Sequence, residues 1–236
     1  MLKDRQKTIL GATVKEYIRT ARPVASRELV HEFSPEFSTA TIRNEMFKLD
    51  EYGYLEQPHT SAGRIPTDKG YRFFVDNLLE DFELSAREER MIQHIFDGEL
   101  KEEEFVRELC KAAAHISSAF ALGGLQDEAT FYNTGFSELL GEPEFHNPAS
   151  LRDFGEFIDN IDALGKLFRD PGFMDEERIF IGEENPLKLA HPYTIIFSSW
   201  IHPHGFNGFL AMIGPKRTNY PKHRAFIKSL KSKRYE

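Results

Sequence analysis

With 236 residues, one cysteine and a net charge of −8, the chain has length for one or two domains and a sizeable core. The same numbers exclude an internal disulfide and a cysteine-built zinc cluster, and they argue against attraction to nucleic acid by bulk charge. No apolar run approaches the roughly 20 residues of a membrane span, and the charged, amphipathic start "MLKDRQKTILGATVKEY" lacks the apolar centre of a signal peptide, so a cytoplasmic protein is expected.

The charge is unevenly spread. Residues 1–80 hold 12 Lys/Arg and 12 Asp/Glu, and the remaining 18 Lys/Arg and 26 Asp/Glu carry the whole deficit. In "DRQKTILGATVKEYIRT", Ile9, Leu10, Val14, Tyr17 and Ile18 share a helical stripe. Pro23 in "ARPV" ends it. Ser26 is the expected N-cap of a second helix, "RELVHEF", with Leu29, Val30 and Phe33 facing inward, and "SPEF" (34–37) is a turn.

Ser38 is the expected cap of a third helix, "TATIRNEMFKLDEYG", which Gly53 ends from the C′ position. Ile42, Met46 and Leu49 recur at i, i+4 and i+7 as its buried stripe. Ala40 and Asn44 lie opposite, flanked by Thr41 and Lys48 on one side and Arg43 on the other. Phe47 also falls towards the outer side, where an apolar residue calls for a neighbouring element or a ligand to cover it.

"YLEQ" and "RIPT" then form the two strands of a hairpin, with "PHTSAG" as the tip and Gly63 supplying backbone freedom there. Three helices and a hairpin make a winged helix. Arg and Asn are the side chains that pair bidentately with guanine and adenine in the major groove. Ser, Thr and the backbone amides of a helix N-terminus suit phosphate. The hairpin adds donors and one cation, Arg64, so it reads as a wing that touches DNA. From pattern alone, a helical domain with a solvated polar face stays open as the alternative.

The strings "STATIRNEMFKLDEYGYLEQPHTSAGRIPTDKGYRFFVD" and "RQKTILGATVKEYIRTARPVASREL" closely resemble the N-terminal domain of the heat-inducible transcription repressor HrcA family, densely over about residues 4–79. A weaker resemblance resumes in "LCKAAAHISSAF", "GFSELLGEPEF", "IFIGEEN" and "GFLAMIGPKRTNY". The resemblance implies a repressor of heat-shock (chaperone) operons that binds an inverted-repeat DNA operator as a homodimer, with the chaperonin modulating it. Family recognition-helix roles map onto Thr39, Thr41, Arg43, Asn44 and Lys48 and wing roles onto His59, Thr60, Ser61 and Arg64, and side-chain chemistry makes these, together with Ser38, the expected DNA contacts. Family members usually run longer and carry a GAF-like second domain. The expectation is therefore an α+β chain, with a winged helix-turn-helix over 1–79 and a helical linker and reduced GAF-like dimerisation domain over 80–236.

In the second segment, "LSAREERMIQHIFDGE" and "EEEFVRELCKAAAHISSAFALGG" read as two helices and "PASLRDFGEFIDNIDALGKLF" as a third. "RIFIG", "YTIIFSSWI" and "GFLAMIG" are strand-like, with "HPHGFNG" connecting the last two. "PKHRAFIKSLKSKR" is a basic helix with Pro221 in its first turn. Cys110 reads as a small core residue, and the turn histidines His191, His202 and His204 as solvated rather than as a metal set. "GEEN" (182–185) reads as a turn rather than paired catalytic carboxylates, so neither an enzyme nor a cofactor is expected. Two other functions stay open: a winged-helix regulator answering to a small metabolite, and a protein-interaction module that binds no DNA.

Overall fold

The computed structural model describes residues 2–33, 37–128, 130–170, 172 and 177–233. The chain divides into two units, Met1–Glu80 with Lys216–Thr218, and Asp81–Pro215 with Asn219–Glu236.

The first unit contains α1 (Asp4–Thr20), α2 (Ser26–Phe33), α3 (Thr39–Glu51), β1 (Leu55–Glu56), β2 (Ile65–Pro66) and α4 (Asp68–Asn77). Its core gathers most of the expected stripes: Ile9, Leu10 and Val14 from α1, Leu29 and Phe33 from α2, and Ile42, Met46 and Leu49 from α3 are buried, while Tyr17, Ile18 and Val30 are only half-buried. The start of α2 differs from expectation. Ser26 is its first helical residue, and the Glu28 carboxylate accepts from the Ala25 amide at 2.6 Å. Glu28 thus reaches back to satisfy an amide just ahead of the helix, a task separate from that of a serine cap. The turn expected over 34–37 falls largely on 34–36, outside the described residues.

α3 ends as its sequence dictates. Gly53 takes φ +73°, its amide donates to the Asp50 carbonyl, and the Tyr54 amide reaches back to that of Leu49. This pair of bonds satisfies the last carbonyls of the helix and turns the chain into the hairpin. β1 and β2 pair antiparallel, Leu55 with Pro66 and Glu56 with Ile65. A third segment joins them, because Val24 and Arg64 exchange both backbone hydrogen bonds, at 2.9 and 2.8 Å. The hairpin is thereby fastened to the connector ahead of α2. α4, which the pattern did not announce, follows at once, its N-terminus capped by the Thr67 hydroxyl accepting from the Gly70 amide at 3.1 Å.

The second unit is built on a five-stranded antiparallel sheet. Its strands are β3 (Phe120–Leu125), β4 (Phe131–Thr134), β5 (Glu177–Ile181), β6 (Tyr193–Ile201) and β7 (Asn207–Pro215), in the spatial order β4-β3-β7-β6-β5. Around it lie α5 (Ala86–Asp97), α6 (Glu102–Ser117), α7 (Phe136–Leu139), α8 (Pro148–Asp159), α9 (Ile161–Phe168) and α10 (Tyr220–Ser232). Alternate residues of the central strands serve two faces, as the period of two requires. Phe120, Leu122, Ile195, Phe197, Phe209, Ala211 and Ile213 meet Phe154, Phe157, Leu164 and Phe168 of α8 and α9 in one core. α6 and α10 pack on the sheet as well, and the intervening Ile196, Leu210 and Met212 are also buried.

Two helices expected from the pattern are divided. The run "EEEFVRELCKAAAHISSAFALGG" is helical only to Ser117; Ser118 turns left-handed at φ +50°, and 120–125 becomes the interior strand β3. The run over 148–168 breaks at Asn160, whose side-chain amide donates to the Glu156 carbonyl at 2.8 Å and competes with the helical ladder. His202 is buried, not solvated. It stacks between Phe206 and Phe96, with centroids 4.3 and 5.6 Å away, at the turn joining β6 to β7. Residues 182–184 form a short turn in which the Glu184 carboxylate accepts from the Ile181 amide. Cys110 is fully buried and its thiol is pushed well up by desolvation. Among the described residues no helix is long and apolar enough to cross a membrane.

Candidate nucleic-acid interface

Three elements of the first unit converge on one groove. The start of α2 contributes Ser26 and Arg27, the outer side of α3 contributes Arg43 and Phe47, and the hairpin tip contributes Thr60 and Ser61. Thus Arg43, Thr60, Ser61 and the partly covered Arg64 are brought together from the expected set, while Ser38, Thr39, Thr41, Asn44, Lys48 and His59 do not line this groove.

The N-terminus of α3 is capped by its own side chains. The Ser38 hydroxyl accepts from the Thr41 amide at 3.1 Å and lies 2.9 Å from the Thr41 hydroxyl. These two side chains therefore form the cap, and Thr39 begins the helix, half-buried. Ala40, Arg43, Asn44 and Phe47 are exposed. Opposite them Glu45 is buried beside the core stripe and accepts from Arg5, from Gln6 at 3.1 Å and from Lys48 at 3.3 Å. Burial opposes ionisation of Glu45, but its bonds to Lys48, Gln6 and Arg5 outweigh that and hold its carboxyl below the usual range. Lys48 is thus committed to a buried carboxylate, and its ammonium is less available to a ligand than its place on the helix suggests.

The tip is braced. The Gln57 side-chain amide donates to the carbonyls of Thr60 and Ala62 at 3.1 and 2.9 Å, and the Ala62 amide donates to the His59 carbonyl. Ser61 and His59 lie within 3.3 Å of each other, and both are exposed with Thr60. Gly63 differs from expectation. It does not take a positive φ, yet a Cβ there would lie 2.4 Å from the Val24 carbonyl carbon and oxygen. Close approach of two backbones, rather than freedom at the tip, requires glycine here.

Arg64 also differs. It stands at the base of the hairpin, 16% exposed, with Nε 2.7 Å from the Asp50 carboxylate of α3. It positions the hairpin against the helix and is not a cation held out at the tip. Arg27, which periodicity alone passes over as an ordinary helix-surface residue, is the cation that takes its place on the groove. Arg27 and Arg43 are exposed and have no carboxylate partner among the described residues, whereas Arg5, Lys7, Arg19, Lys48 and Arg64 are all paired. A neutral unit can in this way present local positive charge.

These features define an α+β chain in two parts, one presenting a polar helix beside a braced hairpin and the other an antiparallel sheet between helices. The chain belongs to the HrcA family: the family description "HrcA protein C terminal domain" matches residues 66–223, and the heat-inducible transcription repressor HrcA of Symbiobacterium thermophilum is 44% identical, with 98% of this chain and 97% of that protein covered. That alignment runs over 332 positions, so the relative has stretches without counterpart here. The repressor of the same name from Caldanaerobacter subterraneus subsp. tengcongensis is 60% identical over 81 residues, and that from Chloroflexus aggregans 49% over 119. Those matches cover 34% and 49% of this chain and only 24% and 31% of the two relatives. A crystal structure described as a hypothetical protein is similar in fold, with a TM-score of 0.77 at 20% identity, covering 100% of this chain and 98% of that one.

Proposed function

We propose that this chain is a DNA-binding transcriptional repressor that recognises an inverted-repeat operator of heat-shock operons as a homodimer in the cytoplasm, its activity modulated by the chaperonin. Residues 1–79 act as a winged helix-turn-helix, with α3 in the major groove and the hairpin as wing. Residues 80–236 act as a GAF-like dimerisation domain, a reading supported by the antiparallel strand order β4-β3-β7-β6-β5. The observation that carries the proposal is the shared groove with its two unpaired arginines, Arg27 at the start of α2 and Arg43 on α3. Arg43 and Asn44 then address base edges, Ser38, Thr39 and Thr41 lie where the helix N-terminus meets phosphate, His59, Thr60 and Ser61 touch the backbone or minor groove, and Arg64 and Lys48 hold the reading elements in place.

The test is electrophoretic mobility shift with the full chain on duplexes from upstream of chaperone genes, against shuffled duplexes of the same composition, with sizing of the complex. A salt-sensitive preference for an inverted repeat, with two chains per duplex, supports the reading. No preference at any salt concentration removes it, and leaves a protein-interaction module as the better account. DNA binding that depends on an added small metabolite would favour the metabolite-responsive regulator.

A further inference from the structure

Phe47 is 55% exposed, more than any other large hydrophobic side chain among the described residues, and it stands on the wall of the groove one helical turn beyond Arg43. Among the described residues of the first unit, none buries it. The buried side of α3 is complete without it, through Ile42, Glu45, Met46 and Leu49. The hairpin side of the groove presents Thr60 and Ser61, both exposed and polar, with the single methyl group of Ala62 as its one apolar side chain among the described residues, so the tip supplies no apolar surface to match an aromatic ring. An aromatic ring held open beside an unpaired arginine needs a partner with an apolar element inside a polar, anionic surface.

We infer that Phe47 is a specificity-determining residue that packs on the C5-methyl group of a thymine in the major groove. The inference rests on the groove's being the DNA-binding face. The C5-methyl of thymine is the apolar feature that the major groove offers among its donors and acceptors. Four residues along a helix advance about 6 Å. Base pairs follow one another every 3.4 Å, so the thymine lies within about two base steps of the base that Arg43 meets. Phe47 has no hydrogen-bonding group, so it discriminates by the methyl alone: cytosine, which lacks it, and uracil, which keeps every other feature of thymine, are both disfavoured.

The test uses the full chain and a duplex that it enriches from a random-sequence library. Each thymine of that duplex is replaced in turn by deoxyuridine, which removes one methyl group and nothing else. At one thymine per half-site the replacement weakens binding about fourfold, the worth of one buried methyl-sized group. In Phe47→Ala the thymine-to-uracil ratio at that position falls to about one, and Phe47→Leu retains part of it. The melting temperature and elution volume of the free Phe47→Ala protein stay unchanged. A ratio that survives in Phe47→Ala overturns the inference and leaves the DNA reading intact. So does a changed melting temperature or elution volume with the ratio preserved, which would make Phe47 a protein contact. A library from which no duplex is enriched overturns both.

Discussion

Arg64 and Asp50 join the base of the hairpin to the last turn of α3 through a contact of 2.7 Å between guanidinium and carboxylate. Loss of Arg64 leaves a half-buried carboxylate unpaired. Arg64→Ala should lower unfolding stability by about 1 kcal/mol and weaken DNA binding by misplacing the tip. It should leave unchanged the number of ions released on binding, because this guanidinium is already neutralised within the protein. Denaturant melts and the salt dependence of affinity check this, and Asp50→Asn combined with Arg64→Ala should recover part of the stability. A salt slope that falls by one ion would return Arg64 to the phosphate backbone.

The exposed polar side chains separate into two kinds. Arg43→Ala and Asn44→Ala should each cost about 1–3 kcal/mol on a preferred duplex and relax the preference at one position per half-site. Arg27→Ala should weaken binding to every sequence alike and reduce the logarithmic salt slope by about one. Fluorescence anisotropy on preferred and shuffled duplexes at several salt concentrations distinguishes the outcomes. All three side chains are exposed, so thermal melts of the variants should overlay those of the parent protein.

Glu45 ties α1 to α3 through Arg5 and Gln6. Glu45→Ala should destabilise the first unit by about 1–3 kcal/mol, since it strands the buried Gln6 amide and unpairs Arg5 and Lys48. Glu45→Gln should be milder, because it keeps an acceptor. The folded carboxyl titrates below its ordinary value, so its contribution is present above the unfolded pKa and is lost as pH falls through the folded one. The parent protein should therefore lose stability in mild acid more steeply than Glu45→Gln, as urea melts across that range would show.

His223 of α10 is buried, and its Nε2 donates to the Ser117 carbonyl at 2.9 Å. Desolvation, partly offset by this bond and reinforced by neighbouring Lys222, lowers its pKa to about 4. The unfolded side chain takes up a proton below about pH 6.5, whereas the folded one stays neutral, so stability falls as pH drops from there towards 4, by up to about 3 kcal/mol. His202, lowered by burial and by His204, adds in the same direction. His223→Gln should flatten this part of the stability profile, to be followed by calorimetry between pH 7 and 4.

Gly63→Ala sets a side chain against the Val24 carbonyl, so the hairpin must move away from the connector ahead of α2. The expected loss is about 1–3 kcal/mol of stability, with a loss of affinity for DNA that salt does not restore. Thermal melts and binding isotherms of the variant check both.

The outer and inner sides of α3 were legible because a helix with three apolar residues at i, i+4 and i+7 has one solution. Gly53 was legible because its place after the last helical turn calls for φ > 0. The role of Gly63 is hidden in the sequence because tip flexibility and close backbone packing select the same residue, and only the position of Val24 distinguishes them. The partners of Arg64 and Lys48, Asp50 and Glu45, are identified by packing and not by local pattern, so the sequence presents both cations as if unpaired. The strand at 120–125 was hidden for a related reason: a strand buried on both faces is continuously apolar and looks like the end of the helix before it.

The division of labour on α3 has a consequence for descent. The fold is held by Ile42, Glu45, Met46 and Leu49, while Ala40, Arg43, Asn44 and Phe47 face outward with no part in the core. Exposed substitutions of this kind usually change stability by no more than about 0.5 kcal/mol. A lineage could therefore exchange the outward residues one at a time without passing through an unfolded intermediate. Duplicated copies could drift to separate DNA vocabularies on an unaltered scaffold, whereas exchanging Glu45 for a residue without an acceptor calls for matching changes at Arg5 and Gln6, its partners on another helix.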